Sequence, residues 1–386
     1  MENTKSITTI GFDAKRIVSN NTGLGNYGRT LVNALSEVNA HLKLQLYAPD
    51  KGNDALRQQI REAENIDFYY PQGFRFRWQK DYWRHRGIVK QLLYDGVKVY
   101  HGLSGELPVG INESGIKSVV TIHDLIFLRH PEYYHCIDAW LYKHKFLSTC
   151  KEADCIIAIS ECTKQDILEY SNYPEEKIKV IYQSCGTNFK RLVSNEEKQR
   201  VDAIYHLPKR YILYVGSIEE RKNLLLAVKA LQQLPSDIEL VAVGRATPYL
   251  NKIEKYAKAY ALKSRIHIFH GVSNAELPAI YQQAECFVYP SRYEGFGIPI
   301  IEAIQSGLPI VACTGSCLEE AGGPDSLYVH PDDVQAMAQA IISILKGNDN
   351  RAEKIERSKL YVQRFENLNV AEQVEEVYNQ LLQQGR

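Results

Sequence analysis

The feature that most restricts the fold is a series of short apolar segments in the second half of the chain. YILYVGSI (211–218), IELVAVG (238–244), RIHIFHGV (265–272), ECFVYPS (285–291) and GLPIVAC (307–313) each end in or near Gly, Ser or Pro. Between them lie helical patterns: NLLLAVKALQQL (223–234), PYLNKIEKYAKAYAL (248–262) and NAELPAIYQQA (274–284). Near-continuous apolar runs of this length are buried strands of a parallel sheet, and their alternation with helices predicts a doubly wound α/β fold.

The first half repeats the scheme with more interruptions. Expected strands are SITTIGF (6–12), LKLQLYA (42–48), VKVYHG (97–102), KSVVTIHDL (117–125), CIIAIS (155–160) and IKVIYQ (178–183). Expected helices include LGNYGRTLVNALSEV (24–38) and ECTKQDILEYS (161–171). At 386 residues the chain exceeds what one core usually holds. Two Rossmann-like domains are therefore expected, 1–188 and 189–368. The join is polar and weakly periodic near 184–209, and an amphipathic C-terminal helix at about 369–386 packs back on the first domain. Ligands of such sheets bind beyond the carboxyl ends of the strands, and two such domains edge to edge enclose a cleft.

Composition narrows the class. Lys plus Arg and Asp plus Glu both number 46, a balance that argues against a nucleic-acid partner. No segment is long and apolar enough to span a membrane. The start, MENTKSITTIGFDAK, is polar and then strand-like, so a cytoplasmic location is expected. The eight cysteines form no C-x-x-C pair and are expected to be reduced and mostly buried.

Two strand ends carry chemistry. After 211–218 comes EERKN, where Arg221 and Lys222 meet the start of a helix. Two cations there suit a diphosphate, although they could equally open a solvated helix. After 285–291 comes SRYEGFGIPIIEA, in which Glu294 precedes Gly295, Phe296 and Gly297, and Glu302 falls one turn into the next helix. The loop offers amides to an anion or hydroxyl. Glu302 is best used on a ribose diol, and Glu294 on a second sugar beyond the diphosphate. The alternative is a pair of carboxylates favoured by the helix dipole. Ribose, diphosphate and hexose together describe a nucleotide-sugar.

These residues resemble the E-x7-E signature of retaining glycosyltransferases of family 4, which have the GT-B fold. TGLGNY (22–27), TIHDL (121–125), GSIEERKN (216–223) and FHGVSNAELPAIYQQAECFVYPS (269–291) fall in the family's order. The resemblance covers nearly the whole chain and is mannosyltransferase-like. It implies that Glu294 holds the transferred sugar and Glu302 the ribose. It also implies that Arg221 and Lys222 hold the diphosphate, Gly23 and Gly25 admit donor phosphate and acceptor, and His123 contacts the hexose. Donor binding is assigned to Gly216, Gly295, Phe296 and Gly297 as well. The resemblance further implies a metal-independent retaining reaction without a side-chain nucleophile and without a cofactor, in polysaccharide synthesis. The donor would be GDP-mannose, with UDP-glucose, UDP-GlcNAc, UDP-galactose and GDP-fucose as alternatives. The acceptor would be a glycan or lipid-linked glycan. The chain departs from the family at Ser217, where many members have Arg, and at Gln183-Ser184-Cys185-Gly186, where many have N-G-V-D. No D-x-D motif for metal-held diphosphate occurs.

Other readings compete. Gly23-Leu24-Gly25-Asn26-Tyr27-Gly28 fits G-x-G-x-x-G, but about ten residues separate it from the first strand, whereas a dinucleotide site wants it adjacent. An NAD(P)-dependent oxidoreductase and a catalytically silent sugar-binding homologue are the alternatives from other classes. His123 and Asp124 could form a general base pair, or His123 could be an inert strand-end residue. FRFRWQKDYWRHR (74–86) holds five aromatics and five Arg or Lys. It suits the anionic inner face of a membrane, or a helix whose aromatics pack in the core.

Overall fold

The computed structural model describes residues 8–345, 347 and 350–384. Ser6 and Ile7 of the first expected strand, and the last two residues of the expected C-terminal helix, lie outside them. The chain forms two compact units, 1–184 with 365–386, and 185–364.

The first unit is built on seven parallel strands: β1 (Thr8–Asp13), β2 (Leu42–Tyr47), β3 (Ile66–Tyr69), β4 (Val99–Gly102), β5 (Lys117–Ile122), β6 (Cys155–Ala158) and β7 (Ile178–Val180). Their order is β3-β2-β1-β4-β5-β6-β7. The central strands β4 and β6 are buried throughout, as apolar runs between two helical layers must be. The helix Asn367–Gln383 returns to this unit. Its Val370, Val374, Val377 and Leu381 share a core with Leu31, Val32 and Leu35 of the helix Gly23–Val38. Asn39 donates to Glu375 at 2.6 Å, and the Tyr378 hydroxyl meets His101 Nδ1 at 2.7 Å.

The second unit has six parallel strands: β8 (Tyr211–Val215), β9 (Glu239–Val243), β10 (Ile266–Phe269), β11 (Cys286–Tyr289), β12 (Ile310–Cys313) and β13 (Leu327–Val329). Their order is β10-β9-β8-β11-β12-β13. The order reverses between β8 and β11, so this pair forms the switch point at which such sheets open a crevice. In the first unit the corresponding pair is β1 and β4.

Three elements differ from expectation. β3 and β13 are edge strands of four and three residues, too short and too exposed to register as apolar runs. The stretch 184–209, read as a polar and weakly periodic join, contains the helix Asn195–Tyr205. A capping box starts it, in which the Ser194 hydroxyl accepts from Glu197 N and Glu197 accepts from Ser194 N. Among the described residues the eight cysteines are free thiols, five of them buried.

Candidate active site

The crevice of the second unit begins at two glycines. Gly216 follows β8 and its N–H donates to Val243 O at 2.9 Å. A Cβ on Gly244, just past β9, would lie 1.8 Å from Gly216 O, so only glycine lets the two strand ends come this close. A single 3₁₀ turn, Glu220–Lys222, then leads into the helix Leu224–Ala230. Asn223 joins them in the left-handed region at φ 53°, and its side chain donates to Pro331 O at 2.8 Å. This turn presents Arg221 and Lys222 to the loop that leaves β11.

Both cations close on Glu294. Arg221 Nη1 lies 2.8 Å from Glu294 Oε2, and Lys222 Nζ lies 2.8 Å from Oε1. Oε1 also accepts from Ser291 Oγ at 2.7 Å and from the Tyr289 hydroxyl at 3.2 Å. Arg221 is steadied by Glu219 at 2.8 Å and by Tyr293 O. Lys222 donates to the Tyr289 hydroxyl at 2.8 Å and stands 5.2 Å from that ring's centroid. The backbones are joined as well, since Arg292 N–H donates to Arg221 O at 2.9 Å. Burial pushes the Glu294 carboxyl up, but Lys222 and Arg221 outweigh burial and hold it at about 2. Glu294 is therefore an ionised, nearly buried carboxylate with four side-chain donors already on it.

The loop beyond Glu294 has its own support, which sequence reasoning missed. The buried Cys317 thiol lies 3.0 Å from Glu294 O and 2.7 Å from Phe296 O, so its one S–H donates to either carbonyl or is shared between them. In the sequence only its proximity to Cys313 stood out. Phe296 is itself buried, so its ring packs the loop and leaves only backbone to meet a ligand. Gly297 precedes the helix Ile298–Gln305, and a Cβ there would come within 2.9 Å of the Ala321 Cβ.

Glu302 stands in a different setting. Its Oε2 accepts from the Tyr281 hydroxyl at 3.0 Å, and among the described residues no cation reaches it. Burial pushes its carboxyl up to about 7, against the lowering effect of the Tyr281 hydrogen bond. The two glutamates thus differ by about five pKa units in ligand-free protein, one fixed as an anion and one able to titrate near neutrality.

The remaining candidates lie in the first unit. Gly23 opens the helix Gly23–Val38 with no atom near its missing Cβ. Gly25 has a purely structural need, because a Cβ there would sit 1.8 Å from Asn20 O. The G-x-G-x-x-G string occupies the first turns of that helix, and the helix Lys15–Ser19 separates it from β1. That arrangement is wrong for a dinucleotide loop.

His123 follows β5. Its Nε2 donates to Leu103 O at 2.8 Å and its Nδ1 accepts from Gln183 Nε2 at 2.7 Å, with Tyr27 edge-on at 4.9 Å. Burial lowers its pKa to about 4, so it is neutral. Neither ring nitrogen is available to accept a substrate proton, and the general-base pairing with Asp124 is not assembled. His123 instead walls a cavity of about 230 Å³ together with Arg16, Glu106, Asp124, Tyr142 and Lys145.

The segment 74–86 divides. Trp83 is buried, and Arg84 is held by Asp13 at the end of β1 and by Glu106 at 2.5 Å. Phe76, Trp78 and Tyr82 are 55%, 67% and 61% exposed.

The chain's relatives agree with one another. The glycosyl transferases group 1 family matches residues 195–361, and glycosyltransferase family 4 matches residues 21–187. O-antigen chain mannosyltransferase B of Escherichia coli is 30% identical over 259 residues, 66% of each chain. The serotype-specific mannosyltransferase WbdA of the same species is 31% identical over 244 residues, 61% of this chain but 30% of that one. The matches span from about a third to two thirds of the length of these relatives. Among solved structures, a glycosyltransferase from Rickettsia africae superposes with a TM-score of 0.75 at 19% identity, covering 97% of this chain and 98% of that one. A sucrose-phosphate synthase from Thermosynechococcus elongatus gives 0.74 at 22% identity, covering 97% and 99%.

Proposed function

The chain belongs to the group 1 and family 4 glycosyltransferases and has their GT-B fold, and on that footing we propose that it moves mannose from GDP-mannose to a growing glycan, with retention of configuration and without a metal. The observation that carries this reading is the convergence of Arg221 and Lys222 on Glu294 at the β8–β11 switch point. A site that holds two nearly buried cations at the carboxyl end of a parallel sheet suits a diphosphate. Glu302, one turn into the next helix, takes the ribose diol.

The state of the side chains supports a reaction in which the enzyme supplies no nucleophile. Glu294 is pinned by four donors and held at low pKa, which makes it a poor attacking group. His123 has no nitrogen to offer. The leaving diphosphate oxygen then takes the acceptor proton on the face from which it departs. Arg221 and Lys222 stabilise the charge that develops there, and the protein's contribution is electrostatic and positional.

Mannose is favoured by the names of the relatives, which include two O-antigen chain mannosyltransferases and a serotype-specific mannosyltransferase. The same names favour a polysaccharide or its lipid-linked precursor as acceptor. Among the described residues no helix is long and apolar enough to cross a membrane. The enzyme works in the cytoplasm, and Phe76, Trp78 and Tyr82, with exposed Arg75, Arg77 and Arg86, contact the anionic inner leaflet. Glu106 bonds both Arg84 and Lys145, which ties this segment to the helix Cys136–Glu152 and its exposed Ile137 and Trp140.

The test is nucleotide release from a panel of GDP- and UDP-sugars, with chelator present and a mannose-terminated acceptor supplied. Release from GDP-mannose alone is expected. Release from a UDP-sugar instead would keep the enzyme class and overturn the donor. Release only after a divalent metal is added would overturn metal independence.

A further inference from the structure

A second feature of the first unit has no part in that reaction. Where β3 ends, a groove of about 590 Å³ is lined by Tyr69, Tyr70, Gln72, Phe74, Trp83 and Lys90. That volume falls within the ~300–1,000 Å³ of small-molecule sites. We propose that this groove binds uncharged hexose units of the acceptor glycan, an inference that rests on the glycan-acceptor reading and adds to it a second point of attachment.

Three observations point to a sugar. First, the aromatic walls are held in place from behind. Tyr69 stacks on Tyr47 at 5.1 Å between ring centroids and 26° between planes, and Tyr70 lies parallel to Phe68 at 6.1 Å and 2°. Fixed rings give the C–H face of a hexose a flat apolar surface at low entropic cost.

Second, polar groups remain for the hydroxyls. Trp83 is only 7% exposed, but its indole N–H is not among the buried polar atoms without a partner, so the edge that carries it is the part that reaches the groove. Gly87 also lines the groove, and a Cβ there would lie 3.5 Å from Trp83 Cδ1, the carbon bonded to the indole nitrogen. A glycine at 87 leaves that edge of the indole open. Gln91, another lining residue, donates its Nε2 to Asp95 at 2.9 Å, and among the described residues no group donates to its Oε1. A hydroxyl could accept from Trp83 and donate to Gln91.

Third, the charge is wrong for other ligands. Lys90 is the only ion among the lining residues. One cation is too little for a phosphate-rich ligand. The arginines suited to a lipid headgroup, Arg75, Arg77 and Arg86, are not among them. The groove also lies at the carboxyl side of the sheet, where ligands of parallel sheets bind.

The experiment is calorimetric titration of α-linked mannotetraose into the full chain and into two variants, each first checked for native melting. Gly87→Leu fills the open edge, and its Cβ is accommodated at ordinary contact distance. Trp83→Phe removes the donor together with part of the aromatic wall. The inference expects saturable binding, weakened at least tenfold by Gly87→Leu and at least about fivefold by Trp83→Phe, which loses one hydrogen bond and some ring contact. Glu294→Gln should leave it unchanged.

Absence of saturable binding, or equal binding by Gly87→Leu, would overturn the groove. So would a change in Trp83 emission, read in a background with Trp78 and Trp140 replaced by Phe, that anionic vesicles cause and the tetraose does not. Elongation of the tetraose separates this inference from the function. Bound tetraose that no nucleotide-sugar elongates would sink the transferase reading and leave the groove standing. Elongation with unchanged KM in Gly87→Leu would do the reverse.

Discussion

Lys222 Nζ and Glu294 Oε1 stand 2.8 Å apart, and Arg221 reaches the other oxygen of the same carboxylate at an equal distance. In the ligand-free protein Glu294 therefore occupies the position of an anion between the two cations best placed for a diphosphate. A donor has to share or displace that pairing as it binds.

Glu294→Gln should lower transfer by about 10²–10³-fold, the scale seen when one charge-positioning group is lost. Its affinity for GDP, measured by calorimetry, should stay equal or increase, because Arg221 and Lys222 lose their internal competitor. A parallel loss of GDP binding and turnover would show that Glu294 organises the cations and does not compete for them.

Lys222→Ala should weaken GDP binding by roughly tenfold or more, with a smaller salt dependence than wild type. Combined with Glu294→Gln, the effects on GDP affinity should be non-additive, since the two side chains touch. Additive effects would mean that the ion pair plays no part in donor binding.

How much of this was legible follows from particular residues. The strands β8, β9, β11 and β12 read as continuous apolar runs because parallel strands between helical layers are buried on both faces. The edge strands β3 and β13 escaped because they are only four and three residues long and most of their residues are only partly buried. Ser194 and Glu197 had the spacing of a helix start but were passed over within a polar stretch. Glu294, Arg221 and Lys222 were all singled out. Their mutual pairing was not, because Lys222 and Glu294 are 72 residues apart and no local pattern couples them. His123 was placed in the chemistry by its neighbours in sequence. Leu103 and Gln183, distant in sequence, occupy both its nitrogens.

Glu302 sets a pH dependence. Its carboxyl lies at about 7 in the free protein, and the ribose diol is best held by the ionised form. GDP affinity should rise with pH up to about 7 and level off above it, and Glu302→Gln should flatten the profile. For stability the sign is opposite. A carboxyl raised on folding binds more protons in the native state, so its contribution is full below the unfolded value of 4.5 and is lost as pH rises through about 7. Melting curves of wild type and Glu302→Gln across pH 4 to 8 should converge at the acidic end.

Cys317 should act as a positioning residue. Cys317→Ser keeps one donor for the Glu294 and Phe296 carbonyls and should keep most activity. Cys317→Val cannot, and should reduce kcat more than it raises KM while lowering stability by about 1–3 kcal/mol. Equal kcat in both variants would remove Cys317 from the account.

The measurement that bears most directly on the whole is GDP release from GDP-mannose in the presence of a mannose-terminated acceptor, in wild type and in Glu294→Gln under conditions where both bind GDP. The account predicts turnover in the wild type and a loss of about a hundredfold or more in the variant. Equal release by the two proteins would contradict it, because the carboxylate that Arg221 and Lys222 enclose would then have no part in transfer.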